Sequence, residues 1–455
     1  REDIKKQAAA FYNEPLDVDG SLFLYHQVPT NGIGYLDLLF DLKGLAPEKV
    51  PYLGLLKSVL GYVDTAGYTY GDLTNEINAQ TGGIQCGVEV FEQADSIEDY
   101  KAFFSLRGKV MYPRIDVLFK MAREILNTSK LNDTKRLYEI IAEVKSRAQA
   151  NLVSGGHSTA VLRASSYSLP MAAFQDAMSG IAYYQFIEKL EQEFEQRKEQ
   201  IVENLELLTR EILRPENLSV SYTGERESLN QVKKQVKVLR QTLHTEEVKR
   251  SQEKMSCEKK NEGFMTSGQV QFVAQTGNFR KKGLSYHGAL NILKVALSYD
   301  YLWINLRVKG GAYGCMCGFR RNGESYFVSY RDPHLKRTLE VYQGIPDYVR
   351  NFQAEEREMT KYIIGTISGK DVPKTPQMQG SISKTAWFCG ITEEMVQKER
   401  DEILQADVED IRGLAPLIEA ILEEKAICVV GSETAVQKEK EIFGEIKSLI
   451  GSGTV

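Results

Sequence analysis

Apolar positions along the chain switch repeatedly between a period of two and a period of three to four, which predicts strands alternating with amphipathic helices. Residues 21–26 and 33–42 alternate as strands around Pro29-Thr30-Asn31-Gly32, whose residues tolerate positive φ, so a hairpin is expected there. Helical spacing covers 50–61 and 71–80. Thr81-Gly82-Gly83 breaks it, and strands are expected through Phe91 and from 103 to 110. Three long amphipathic helices follow at 113–127, 133–152 and 170–213, the last divided near Gly180. A strand at 218–222 and a charged helix at 229–243 complete this stretch.

Between about 245 and 262 the apolar pattern lapses into Glu, Lys, Arg, Ser and Gln. The lapse predicts a first domain at 1–245, a charged linker at 246–265 and a second domain at 266–455, with a solvated helix extension as the other reading of the linker. Beyond it the pattern predicts strand 269–275, helix 286–298, a short helix capped by Asp300, and strands 312–319 and 325–331. Helices are expected near 335–351, 355–368, 374–388, 392–404 and 407–423, then strand 427–430 and a final helix 433–449.

The second half repeats the first. A helix, Thr81-Gly82-Gly83 and a strand are echoed by a helix, Lys309-Gly310-Gly311 and a strand. Likewise Ser221-Tyr222-Thr223-Gly224-Glu225 before a charged helix is echoed by Val429-Val430-Gly431-Ser432-Glu433. Superposing the two glycine pairs sets Ala79 against Arg307 and Gln85 against Tyr313. The scaffold is duplicated; these two polar side chains are not, which points to a role for them beyond the corner itself.

Arg307 and Tyr313 are the candidate chemistry. With 312–319 as a strand, Tyr313, Cys315, Cys317 and Phe319 share one face, and a guanidinium and a phenol flank a glycine-broken corner. Such a pair of donors suits a carbonyl oxygen that gains negative charge. The structural alternative is a cation placed at a helix C-terminus and a half-buried strand tyrosine. Neither Gly-x4-Gly-Lys-Ser/Thr nor Gly-x-Gly-x-x-Gly is present, so the glycines do not read as a phosphate cradle.

Composition narrows the function classes. With 42% apolar and 26% charged residues over 455 positions, a globular protein of two to three domains is expected. A net charge of −5 disfavours nucleic acid and suits a basic peptide better. Six cysteines without a framework spacing suggest a reducing compartment, and Cys315 and Cys317 read as core residues. No apolar run reaches the roughly twenty residues of a membrane span. The start, Arg1-Glu2-Asp3, lacks a methionine and a signal-peptide pattern and reads as a cut or processed end. The five histidines never fall within five residues of one another, so His-Glu-x-x-His and His-x-x-Glu-His are both missing. His157, at a helix start, reads as a capping or packing residue, and no Gly-x-Ser-x-Gly elbow supports a serine triad.

Four stretches carry a resemblance: PTNGIGYLDLLFDL at 29–42, GHSTAVLRASSYSLPMAAFQDAMSGIAYYQFIEKL at 156–190, RVKGGAYG at 307–314 and GITEEMVQKERDEIL at 390–404. In order and across nearly the whole chain, they resemble the C-terminal half of presequence protease-like enzymes, a branch of the pitrilysin and insulysin zinc metallopeptidases known as inverzincins. The resemblance implies an α/β fold class with two tandem homologous domains of the pitrilysin/mitochondrial processing peptidase-like fold, each a mostly antiparallel sheet packed by helices. It implies a clamshell closing on unfolded peptides, with the zinc ligands and general-base glutamate in the N-terminal half. Arg307 and Tyr313 would reach from this half to the scissile peptide, and Gly310 and Gly311 would border the substrate. The isolated chain is then expected to bind no catalytic zinc and to cleave nothing. Its expected partners are the N-terminal half and peptides, not nucleic acid or membrane. A bacterial cytoplasm is the first expectation for its compartment and an organelle matrix the second. A non-catalytic peptide-binding or structural subunit on the same scaffold is the alternative function.

Overall fold

The computed structural model describes residues 4–451. Strands β1 (Glu14–Val18), β2 (Ser21–Gln27), β3 (Ile33–Asp41), β4 (Ile84–Glu92), β5 (Tyr100–Met111) and β6 (Leu218–Gly224) form a sheet in the order β1-β2-β6-β3-β5-β4. Strands β7 (Glu262–Thr266), β8 (Phe272–Asn278), β9 (Gly314–Phe319), β10 (Glu324–Tyr330), β11 (Ala426–Ser432) and β12 (Glu445–Ser448) form a second, in the order β12-β7-β11-β8-β10-β9. Position for position the inner strands correspond. β2 runs parallel to β6 as β7 does to β11, and the remaining inner pairs are antiparallel in both sheets. Only the outermost strand breaks the match: β1 lies antiparallel on β2, whereas β12 lies parallel on β7. The duplicated, mostly antiparallel α/β architecture expected from sequence is therefore present.

Each sheet packs one face on its own helices, because alternate strand residues such as Leu36, Leu38 and Phe40 in β3 are apolar on that side. The opposite faces are covered reciprocally. The Gly156–Ser166 helix crosses β8, β10 and β11, burying Ala160 and Ala164 against Phe272, Ala274 and Cys428. The Pro376–Cys389 helix crosses the first sheet, stacking Phe388 on Phe91 and packing it at a tilt on Phe103. Both helices approach so closely that only glycine fits at the contact. A Cβ on Gly156 would lie 2.3 Å from Phe272, and one on Gly380 would lie 1.8 Å from the Thr223 hydroxyl.

Buried charges lock both crossings. Arg163 bonds Glu262 through Nε at 2.7 Å and Nη2 at 3.0 Å, and Asp176 through Nη1 at 2.6 Å. Burial works against the Glu262 carboxylate, but hydrogen bonds and charge from Arg163 hold its pKa below the ordinary range. Lys384, only 1% exposed, reaches Asp37 at 2.8 Å and Glu89 at 2.7 Å, and Arg107 pairs with the same two carboxylates.

Several expectations need correction. β2 and β3 do not form a hairpin: β6 inserts between them, and β2 makes its hairpin with β1 through Asp19 and Gly20, both at positive φ. The Pro29–Gly32 turn permits a reversal but does not choose the neighbour; the buried β6 supplies a better-matched apolar partner. The charged stretch has no helix from 247 to 261, and residues 262–265 of the expected linker belong to β7. It is pinned instead by the Ser251 amide to the Gly44 carbonyl at 2.8 Å and by Arg250 to Asn217 at 3.0 Å. The expected final helix stops at Lys438, and 445–448 pair with β7 as β12. Asp300 caps nothing. The helix from Ala289 runs on through two π-helical segments, Leu297–Tyr301 and Trp303–Val308, and Asp300 accepts from the Tyr348 hydroxyl at 2.9 Å.

Candidate functional site

The π-helical turn ends at the glycine corner. Lys309 donates to the Ile304 carbonyl, five residues back, and Ala312 to that of Leu306. Gly310 is buried, where a Cβ would strike Arg337 and the Leu306 carbonyl, each at 2.4 Å. Gly311 sits at φ +78°, a conformation costly for any side chain. The two glycines thus fix the turn that brings Tyr313 back beside Arg307.

Arg307 and Tyr313 do come together. The guanidinium lies 5.2 Å from the Tyr313 ring centroid and 4.4 Å from that of Trp303, and its Nη1 donates to the Tyr313 carbonyl. One donor is spent on geometry, and the rest of the fork is left between two aromatic faces. The Tyr313 ring is 63% exposed, and its hydroxyl has no hydrogen-bond partner among the described residues. Its backbone amide donates to the Tyr330 carbonyl at 3.0 Å, one residue before β9 begins, so Tyr313 stands outside the strand alternation expected for it. Cys315, Cys317 and Phe319 do face the underlying helices. Burial pushes the Cys317 thiol to about 12 and the Cys315 thiol to about 11, leaving neither a ready nucleophile at neutral pH.

Trp303 is the contributor that motif reading missed. Its signal is the four-residue step to Arg307, which on a helix sets one side chain over the other. Behind Tyr313, the ring of Tyr330 packs at 5.9 Å, and His157 packs edge-on to Tyr330 at 5.0 Å. His157 opens the crossing helix and is a packing residue, with Nδ1 buried and unpartnered among the described residues. Burial lowers its pKa, favouring the neutral ring.

The first-copy corner is built differently. A regular helix, Tyr70–Gln80, leads to Thr81-Gly82-Gly83, with Gly83 at φ +112°. Ala79 and Gln85 are exposed there, with no arginine-tyrosine stack. A π-bulge costs helix regularity and frequently marks a functional position, and of the two corners only the second has it. Among the described residues no group of three or more His, Cys, Asp or Glu is arranged to hold a metal, so the side chains present do not fit a zinc site. No helix among them is long and apolar enough to cross a membrane.

Comparison with known proteins bears on the family and the fold. Residues 1–190 match the family model for the segment associated with subfamily C of the M16 peptidases, and 261–433 match the PreP C-terminal domain. The chain is 38% identical to Protein HypA of Clostridium perfringens over 99% of its own length and 46% of that protein's. To Presequence protease 1, chloroplastic/mitochondrial, of Arabidopsis thaliana it is 29% identical over 98% of its length and 42% of the relative's. It therefore spans less than half the length of these relatives. A solved peptidase M16 inactive domain from Pseudomonas fluorescens superposes with a TM-score of 0.60 at 14% identity, covering 92% of this chain and 98% of that one. The periplasmic protease PqqL from Escherichia coli matches at a TM-score of 0.61 and 10% identity over 95% of this chain and 48% of its own. At such identities the structural likeness speaks for the fold alone.

Proposed function

From a chain that corresponds in sequence and fold to the C-terminal half of presequence protease-like M16 peptidases, we propose the substrate-clamping half of a zinc-dependent peptidase acting on unfolded peptides. The catalytic metal would lie outside this chain, in an N-terminal half that is its partner. Arg307 and Tyr313 would act on the peptide: the free Tyr313 hydroxyl and the unspent guanidinium nitrogens donate to the carbonyl oxygen under attack or to its neighbour. The observation that carries this reading is a half-buried Arg307 set beside an exposed Tyr313 at the end of a π-bulged turn that the duplicated corner lacks. Gly310 and Gly311 would border the peptide backbone at this turn. The proposed units divide along the charged stretch before β7, and the reducing setting suggested by six unpaired cysteines fits a bacterial cytoplasm.

Arg307→Lys in the complete protein tests the reading. Lysine keeps the charge but lacks the fork that spans Trp303 and the Tyr313 carbonyl. Peptide turnover is expected to fall at least tenfold with folding intact. Unchanged turnover would leave Arg307 a purely structural arginine, and no turnover by the wild-type complete protein would favour a non-catalytic peptide-binding subunit.

A further inference from the structure

We propose that the cavity between the first sheet and the start of the Pro376–Cys389 helix, whose lining includes neither Arg307 nor Tyr313, is a second peptide subsite that takes a carboxylate. This rests on the peptide-binding reading above and adds to it a place and a chemistry.

The cavity measures about 560 Å³, within the usual range for ligand sites. Its floor is the upper face of β3 and β5 with the Gly82-Gly83 corner, and its roof is the first turns of the crossing helix at Met378 and Gly380. Gly380 sets the roof height through its contact with Thr223. In the second sheet the corresponding space under the Gly156–Ser166 helix is filled by His157, Phe272 and Tyr330. In the first sheet it stays open, lined by both polar and apolar side chains. One copy of the duplicated scaffold therefore packs this position, and the other leaves room for a ligand.

The charges select the ligand. Asp37 and Glu89 are two anions matched by two cations, Lys384 and Arg107. Lys109, two residues beyond Arg107 and on the same face of β5, also lines the cavity but joins no ion pair among the described residues. Its stem lies flat over Gly82, where a Cβ would stand 2.5 Å from Lys109 Cγ. One ammonium is thus unmatched, with Tyr35 opposite Lys109 in the β3–β5 register and Tyr62 also lining the cavity. Ile84 and Met378 supply apolar wall. An extended peptide fits this combination, and its carboxylate, whether the C-terminus or an acidic side chain, answers Lys109.

The test is fluorescence anisotropy of a labelled unfolded peptide titrated into the chain. Two twin peptides accompany it, one C-terminally amidated and one with every Glu and Asp changed to its amide. Lys109→Gln is expected to weaken binding about tenfold and Lys109→Arg to restore it. The twin that lacks the recognised carboxylate should bind as weakly as Lys109→Gln does and should be indifferent to that change. Equal affinity for wild type and Lys109→Gln overturns the subsite and leaves the corner reading, which is read by turnover, intact. Loss of affinity at Lys109, with Arg307→Ala lowering turnover of the complete protein, supports both. No binding of any peptide overturns both.

Discussion

Arg307 rests its guanidinium 4.4 Å over the Trp303 ring, one helical step away, and this stack holds the charge at the rim of the glycine corner. Without the indole, the long arginine side chain regains rotamers that the productive geometry excludes. Trp303→Ala in the complete protein should lower kcat/KM by about two- to fivefold, and Trp303→Phe by less, consistent with a cation–π contact of about 0.5–1 kcal/mol at an exposed site. Steady-state kinetics with one peptide substrate would read this, and a full effect in the Phe variant would show that the ring face is not what matters.

Arg163 joins the first half of the chain to β7 of the second through buried bonds to Glu262, itself 0% exposed. Truncating one partner strands a buried charge, so Arg163→Ala should cost about 3–5 kcal/mol. The exposed Arg147–Glu143 pair provides the contrast, and Arg147→Ala should cost under about 0.5 kcal/mol. Urea unfolding midpoints of the two variants would separate these cases.

His26 is fully buried, its Nδ1 facing the Tyr12 carbonyl at 2.5 Å and its Nε2 the Ser221 hydroxyl at 2.8 Å. Burial lowers its pKa from 6.5 to about 4, with the nearby Lys384 acting in the same direction. The unfolded chain therefore takes up a proton that the folded chain refuses. Stability from this group is complete above pH 6.5 and is lost as pH falls toward 4, by up to about 3 kcal/mol. The urea midpoint of wild type should drop more steeply over this window than that of His26→Asn. Parallel slopes would remove His26 as the cause.

Gly380→Ala would push the Pro376–Cys389 helix off Thr223, a backbone shift of the kind that costs about 1–3 kcal/mol. Thr223→Ala removes the obstructing hydroxyl, so the double variant should recover part of the thermal midpoint lost by the single one. Strict additivity would show that the two positions do not meet.

The sequence was most informative where a local rule and the tertiary demand agreed. Thr81-Gly82-Gly83 and Lys309-Gly310-Gly311 break their helices because positive φ at Gly83 and Gly311 requires it, and alternation in β9 sets Cys317 on the core side. Pairing was not readable in this way. Turn chemistry at Pro29–Gly32 says nothing about the strand almost two hundred residues later that separates β2 from β3. β7 and β12 are short, and their charged residues mask the strand period. The expected end of the last helix failed for the same reason. The Arg307–Tyr313 pairing followed from the corner, but the π-bulges that shape it did not, because helical spacing looks the same with one extra residue in the turn. Reciprocal coverage by the two crossing helices depends on glycine contacts between residues far apart in the chain, such as Gly156 with Phe272.

Tyr313→Phe in the complete, metal-loaded protein tests the central claim most directly, since it removes one exposed hydroxyl and disturbs no hydrogen bond among the described residues. Ala79→Ser, at the position of the other corner that matches Arg307, serves as control. The account predicts that kcat and kcat/KM fall together by about a hundredfold, with zinc content and melting temperature unchanged and the control at wild-type rate. Wild-type turnover in Tyr313→Phe, or an equal loss at both corners, would contradict it.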